Sequence, residues 1–292
     1  MNHGFAYVER LGPEASGQTV LQHLVARYPH SSEAEWTARL AEGRVELEGR
    51  SAQGDELLRA GQRLAWHRPP WEEPEVPREF AVLHEDDALL AVSKPSGLPC
   101  SPGGGYLENT LLHLVQQRDP EWMPMHRLGR GTSGLVLYAR TRQARARLAE
   151  DLRTRAMVKR YLALATGRLM PQIIRTPIGP VSHPRLGTLH AAKVDGLAAE
   201  SHVEEVRPRG EDTLAVVRIV TGRPHQIRIH LASVGHPLVG DPLYGAGGLP
   251  RGEIPALPGD LGYTLHAWRL SLAHPATGAP LLLEAPPPEA LR

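Results

Sequence analysis

Residues 68–77 read Arg68-Pro69-Pro70-Trp71-Glu72-Glu73-Pro74-Glu75-Val76-Pro77, with four prolines and three acids in ten positions. Proline lacks an amide proton and pushes the residue before it out of the helical region, so this stretch suits neither a helix nor a central strand. It reads as an extended linker, and the chain must therefore fold in two parts. The expectation is a small domain over residues 1–67, a proline-rich linker over 68–78 and a main domain over 79–292.

In the small domain, Val20, Leu21, Leu24 and Val25 recur at helical spacing after Gly17. Ser32 and Glu35 have the spacing of a capping box that opens a second helix through Trp36, Leu40 and Ala41, stopping at Gly43. Val45 to Gly49 alternates like a half-buried strand, and Gln62 to Trp66 reads as another. Two helices followed by short strands, with a turn at Glu42-Gly43-Arg44-Val45, resemble the S4 RNA-binding fold.

The main domain opens with a hairpin pattern, Phe80 to Leu83 and Leu89 to Val92 around the acidic turn Glu85-Asp86-Asp87. Glu108 to Gln117 and Thr141 to Arg155 read as helices. Leu135 to Ala139, Val158 to Ala165, Leu214 to Thr221, Leu265 to Leu272 and Leu281 to Glu284 read as strands. His225 to Val234 reads as a helix with Ile227, Leu231 and Val234 on one apolar stripe and His225 and Arg228 on another face. Gly240 to Pro258 is rich in glycine and proline and reads as loop. Strands predominate with helices interspersed irregularly, so the fold class is α+β rather than a doubly wound parallel sheet.

Composition narrows the function classes. A single cysteine, Cys100, excludes an internal disulfide and a multi-cysteine zinc site, and the compartment it implies is reducing, hence cytoplasmic. No apolar run reaches the ~18 residues of a membrane span, and residues 1–12 lack the apolar core of a secretion signal. The net charge is only +1, but eight basic residues against Glu150 and Asp151 between Arg140 and Arg160 make a local +6. Such a cluster could track a phosphate backbone or simply be a solvated helix face. None of the fifteen histidines has His-Glu-x-x-His spacing, and no metal is expected.

Five segments carry the chemistry. Ala91-Val92-Ser93-Lys94-Pro95-Ser96-Gly97-Leu98-Pro99 is a strand running into a tight turn, to which physics alone assigns no function. His126-Arg127-Leu128-Gly129-Arg130-Gly131-Thr132-Ser133-Gly134 has three glycines in six residues, permitting positive φ and close approach of another backbone. It is not a nucleotide P-loop, because no Gly-Lys-Ser/Thr closes it and the strand follows rather than precedes it. Lys159-Arg160-Tyr161 opens a strand. Thr221-Gly222-Arg223-Pro224-His225-Gln226-Ile227-Arg228 gathers polar groups at the start of a helix, which suits an anion or a base. Leu265-His266-Ala267 is the fifth.

Together and in this order, the five segments resemble the RluA-type RNA pseudouridine synthases over about Phe80 to Pro287, and many relatives carry an S4 domain before it. The resemblance implies a pseudouridine synthase domain, a mixed and mainly antiparallel sheet with helices, acting on structured RNA, rRNA or tRNA, without metal or organic cofactor. It implies that a uridine is flipped from its stack and that its uracil detaches from C1′, turns and rejoins through C5. By the same resemblance Tyr161 stacks on the uracil, Arg228 pairs with the catalytic aspartate, and Arg127 contacts or replaces the flipped nucleotide. Arg130, Thr132, Lys159, Arg223, His225 and Gln226 join the expected RNA contacts. His230, His236 and His266 are expected as hydrogen-bonded supports.

The chain departs from the family at one position. Where the resemblance places the aspartate there is Gly129, which has no side chain to act as nucleophile or acid–base group. A displaced carboxylate would have to come from Glu108, Asp119 or Asp241, and Arg228 would need another anion. The expected activity is uridine isomerisation; the alternative is a catalytically silent RNA-binding member. A zinc-dependent base deaminase is excluded by the cysteine count. A monomer is expected.

Overall fold

Thr19 and Ser32 begin the two helices of the first unit in the same way. Each side-chain oxygen accepts the amide of the third residue on, Gln22 or Glu35, whose side chain returns the bond to the cap's own amide. The structure, a computed structural model, describes residues 1–184, 186–252 and 256–292. The chain divides into two compact units, Met1–Glu73 and Pro74–Arg292.

The first unit runs β1 (Phe5–Arg10), α1 (Val20–Arg27), α2 (Glu33–Ala41), β2 (Val45–Leu47), β3 (Arg50–Ser51) and β4 (Arg63–Arg68). Its sheet has the order β1-β4-β2-β3, and Val20, Leu24, Trp36, Val45, Leu47, Leu58 and Leu64 fill its core. The β1 strand was not anticipated: its residues are mostly exposed, so no apolar alternation marks it. The stretch read as a linker is not free at its start. Trp71 donates its amide to Asn2 Oδ1 at 3.1 Å, and Asn2 Nδ2 donates to Glu73 at 2.7 Å.

The second unit contains β5 (Ala81–Glu85), β6 (Leu89–Lys94), α3 (Leu111–Arg118), β7 (Met123–Pro124), β8 (Ser133–Ala139), α4 (Arg142–Arg153) and β9 (Val158–Ala165). It continues with β10 (Gln172–Ile174), β11 (Ile178–His183), β12 (Gly187–Ala192), β13 (Ser201–Arg209), β14 (Asp212–Ile219), α5 (Gln226–Ser233), β15 (Leu265–Ala273) and β16 (Pro280–Glu284). The main sheet has the order β10-β13-β14-β9-β15-β8-β6-β5, with β16 on β15 and β7 on β8. Among the described residues only β8 and β15 pair in parallel, matching Ser133 with His266 and Gly134 with Ala267. The fold class is α+β.

Two helix readings need correction. Glu108 lies before the third helix, which begins at Leu111 because Thr110 caps it, its Oγ1 accepting the His113 amide at 3.2 Å. The stripe on α5 is only half of its buried surface. Ile227 and Leu231 enter one core, while Ile229 and Ala232 enter another, so every residue from Gln226 to Ala232 is buried, Arg228 included. The basic cluster is also partly consumed within the fold: Arg140 pairs with Asp119, Arg147 with Asp151, Arg153 with Glu150 and Arg160 with Glu204. Among the described residues no helix is long and apolar enough to cross a membrane.

Candidate active site

The loop from His126 to Gly134 is held from three sides. Leu128 donates its amide to Cys100 Sγ at 3.2 Å, and Ser96 Oγ donates to the Gly131 carbonyl at 2.8 Å. The Arg130 carbonyl accepts both the Gly97 amide at 2.8 Å and Lys94 Nζ at 3.1 Å. Lys94, only 1% exposed, gives its other two protons to the carbonyls of Pro95 and Leu98. Burial draws its pKa down to about 8, yet all three ammonium donors are satisfied. The segment around Lys94, to which the sequence assigned no function, is the clamp on the glycine-rich loop.

Gly134 ends that loop at φ +106, where a Cβ would stand 2.2 Å from the Ala267 carbonyl oxygen. Only glycine lets the two parallel strands meet there. The loop, the first turn of α5, the end of β14 and the starts of β9 and β15 then enclose a cleft of about 110 Å³. Arg127, Gly129, Thr132, Tyr161, Arg223, His225, Gln226 and Arg228 all line it, together with Tyr263. Arg130 and Lys159 do not. Arg130 turns away to donate from Nε to the Gly259 carbonyl at 2.7 Å, with its guanidinium on Tyr106.

Arg228 is buried with a carboxylate partner, and that partner is Asp241. Nε and Nη2 reach the two Asp241 oxygens at 2.7 Å each, and Nη1 donates to the Pro258 carbonyl at 3.1 Å. Burial opposes the charge, but the Asp241 bonds outweigh it and raise the guanidinium's pKa. Asp241 Oδ1 also accepts the amides of Leu243 and Tyr244, and its side chain is wholly buried. It supplies Arg228's counter-charge but does not face the cleft. Asp119 is taken by Arg140 at 2.6 Å, and neither Asp119 nor Glu108 lines the cleft. No aspartate or glutamate does so among the described residues.

The remaining polar groups have defined roles. Gln226 has all four amide positions filled: Oε1 accepts Thr221 Oγ1 and the Arg223 amide, and Nε2 donates to the Glu200 carbonyl and Ser201 Oγ. It secures the helix start rather than offering donors to a ligand. His225 sits at φ +54, a left-handed position that few non-glycine residues take. Tyr244 gives its hydroxyl proton to the His190 carbonyl at 2.7 Å, so His225 must donate from Nδ1 to Tyr244 Oη, also at 2.7 Å. That leaves Nε2 as the unprotonated nitrogen. Burial pulls the His225 pKa down to about 4 and pushes that of Tyr161 up to about 12, so both are neutral near pH 7. Of the expected supporting histidines, His230 bridges Ser201 Oγ and the Thr176 carbonyl, His236 meets the Thr166 carbonyl, and His266 joins Ser133 Oγ to the Ala285 carbonyl.

Among the described residues, one group has the side chains to hold a metal ion: His84, Asp86 and His274, outside the cleft. Its hydrogen bonding argues for a structural role. Backbone amides of Ala276 and Thr277 point at His274 Nδ1, which places that ring's proton on Nε2, 2.8 Å from Asp86. A protonated Nε2 is a donor to the carboxylate and not a metal ligand.

Comparison with known proteins gives a consistent picture. The sequence profile of the RNA pseudouridylate synthase family matches residues 88–233. An uncharacterized RNA pseudouridine synthase of Synechocystis is 42% identical over 268 residues, covering 90% of this chain and 92% of the relative. RNA pseudouridine synthase 5 of Oryza sativa is 36% identical over all of this chain and 89% of its own. Ribosomal large subunit pseudouridine synthase D of Xanthomonas campestris is 35% identical, over 94% of this chain and 86% of its own. Among solved structures, human RNA pseudouridylate synthase domain containing 4 has a TM-score of 0.54 at 23% identity, over 72% of this chain and 89% of its own, a likeness of fold.

Proposed function

The chain belongs to the RNA pseudouridine synthase family, isomerases that act on RNA, and on that premise we propose that it isomerises specific uridines of ribosomal RNA in the cleft beside Gly129. The observation that carries this reading is the composition of the cleft wall. Arg127 and Arg223 lie at its edge, Tyr161 forms a wall, and Thr132, His225 and Arg228 line it with Gly129. A uridine must leave its stack to expose C1′, and a cleft of this kind gives the extruded base an aromatic face and its phosphates guanidinium partners.

In this reading Arg127, exposed at the rim, takes the flipped nucleotide's place or phosphate, Arg223 holds the backbone, and Tyr161 stacks on the uracil. Arg130 and Lys159 serve the RNA only indirectly, through the loop and strand they belong to. Residues 1–67 act as an S4-like RNA-binding domain that lends affinity, and the protein works as a cytoplasmic monomer without metal or organic cofactor. Ribosomal RNA is favoured over tRNA because a relative that aligns with 94% of this chain is named for the large ribosomal subunit. Family membership likewise favours turnover over silent binding.

The test is tritium release. RNA from cells lacking the protein, labelled at uridine C5, is incubated with native protein. Isomerisation replaces the C5–H bond with C5–C1′, so release of tritium into water is the expected result; intact binding without release would refute the reading.

A further inference from the structure

Turning uridine into pseudouridine breaks C1′–N1 and makes C1′–C5. A covalent route needs a group to meet C1′ while the uracil is detached, and no carboxylate lines the cleft among the described residues. Thr132, Tyr161 and Tyr263 bring hydroxyls to it, and the Gln226 amide is fully occupied. In the synthase reading the Tyr161 ring stacks on the uracil. Tyr263 was absent from every motif in the sequence, and its position is the informative one.

A Cβ on Gly129 would lie 3.1 Å from the Tyr263 hydroxyl and 3.7 Å from Thr132 Oγ1. A Cβ on Gly131 would strike the Tyr263 ring, at 2.9 Å from both Cε1 and Cζ. Neither glycine has a positive φ, so the backbone does not require glycine at either position. At 131 the tyrosine ring does, and at 129 a Cβ would press on the hydroxyl. Tyr263 is 5% exposed, its hydroxyl lies 3.2 Å from Thr132 Oγ1, and the Arg228 guanidinium stands 4.1 Å from its ring centroid. A side chain at 129 would thus press on the phenol at 263, which would have to give way by a few tenths of an ångström. There Tyr263 is buried, lines the cleft and carries a fixed positive charge over its ring.

We propose that Tyr263 is a catalytic residue of this enzyme, its phenolic oxygen taking the place at C1′ that a carboxylate on residue 129 would take. This rests on the synthase reading above. The phenolic oxygen attacks C1′; the C1′–N1 pair stays on N1, which receives the phenolic proton, giving an aryl glycoside and a neutral uracil. The uracil turns, and its C5=C6 electrons form the C5–C1′ bond. As they do, the C1′–O pair returns to the phenolate, which finally takes the C5 proton and regenerates the phenol. Atoms, electrons and protons close over one turnover with no other reactant. Arg228, kept charged by Asp241, steadies the negative charge that develops on the ring oxygen.

The experiment compares native protein, Tyr263→Phe, Gly129→Asp and the double variant, reading both RNA affinity and tritium release. Tyr263→Phe should leave affinity unchanged and lower turnover by roughly 10²–10⁴-fold, the range that loss of a proton-transferring group costs. Aspartate at 129 should restore turnover in the phenylalanine background, where the oxygen is gone, and fail to raise it in the native one, a sign reversal that a purely structural tyrosine would not produce. A third readout replaces Tyr263 with difluorotyrosine, which keeps the shape but ionises at lower pH. The alkaline limb of the pH–rate profile should move down with it, and an unmoved limb would count against the proposal. Near-native turnover by Tyr263→Phe would overturn it while leaving the synthase reading intact. Silence from native protein would overturn both.

Discussion

At Arg228 the chain buries a full positive charge, and Asp241 and the Pro258 carbonyl take up its N–H groups. Removing one member of such a pair strands the other charge in a poorly polarisable interior, which costs about 3–5 kcal/mol, whereas replacing both by apolar groups is often close to neutral. Arg228→Met alone and Asp241→Leu alone should each lower the urea midpoint strongly. The combination Arg228→Met with Asp241→Leu should be less destabilising than the two single effects added together. Additive losses in urea unfolding would mean that the pair is not coupled as the distances imply. The pairing also means that Arg228 needs no RNA to neutralise it, so RNA should barely alter the stability difference between native protein and these variants.

At the scale of elements, the glycine-rich loop is placed by β6 and its turn, and closed by the parallel contact of β8 with β15. Gly134→Ala should break that contact: the sparsely populated backbone conformation alone costs roughly 1–3 kcal/mol, and the collision with the Ala267 carbonyl adds to it. Thermal unfolding measures the loss, and an unchanged midpoint would contradict the strand geometry. The sequence made much of this legible. The hairpin of β5 and β6, the helix opened by Ser32 and Glu35 and most of the cleft-lining residues are readable because local apolar period, a capping pair and motif order carry them. Strands β10 to β13 were not, for a physical reason. Pro177, Gly179 and Pro180 interrupt the run, and beyond Val203 most of β13 is exposed, leaving little alternation to read. Tyr263 was hidden differently. It falls between a loop and a strand, and its meaning lies in the space it denies to residues over 130 positions earlier, which no local pattern encodes.

For the molecule as a whole, His126, His225 and His230 set the acid limit. Burial holds each near a pKa of about 4, below the ordinary 6.5, and His126 Nε2 accepts the Leu137 amide, so these rings are neutral in the fold. The unfolded chain binds their protons between pH 6.5 and about 4, so stability is complete above that window and is lost as pH falls through it. The slope is up to about 1.4 kcal/mol per pH unit for each ring. Asp86 is held below the carboxylate range because the Ala88 and Leu89 amides and two imidazoles outweigh its burial. Its contribution therefore fails only at lower pH. Chemical denaturation across pH 4–8 should show the decline beginning near 6.5; a flat profile down to pH 4 would contradict buried neutral histidines. Uridine isomerisation in a cleft with glycine at residue 129 is what the whole proposal requires. It is tested most directly by mapping pseudouridine, through its carbodiimide adduct, in ribosomal RNA from cells lacking the protein, before and after incubation with purified native protein. A new adduct stop should appear at a defined uridine and be absent when Tyr263→Phe is added instead; RNA bound with undiminished affinity and no new stop anywhere would mean that the cleft binds without isomerising.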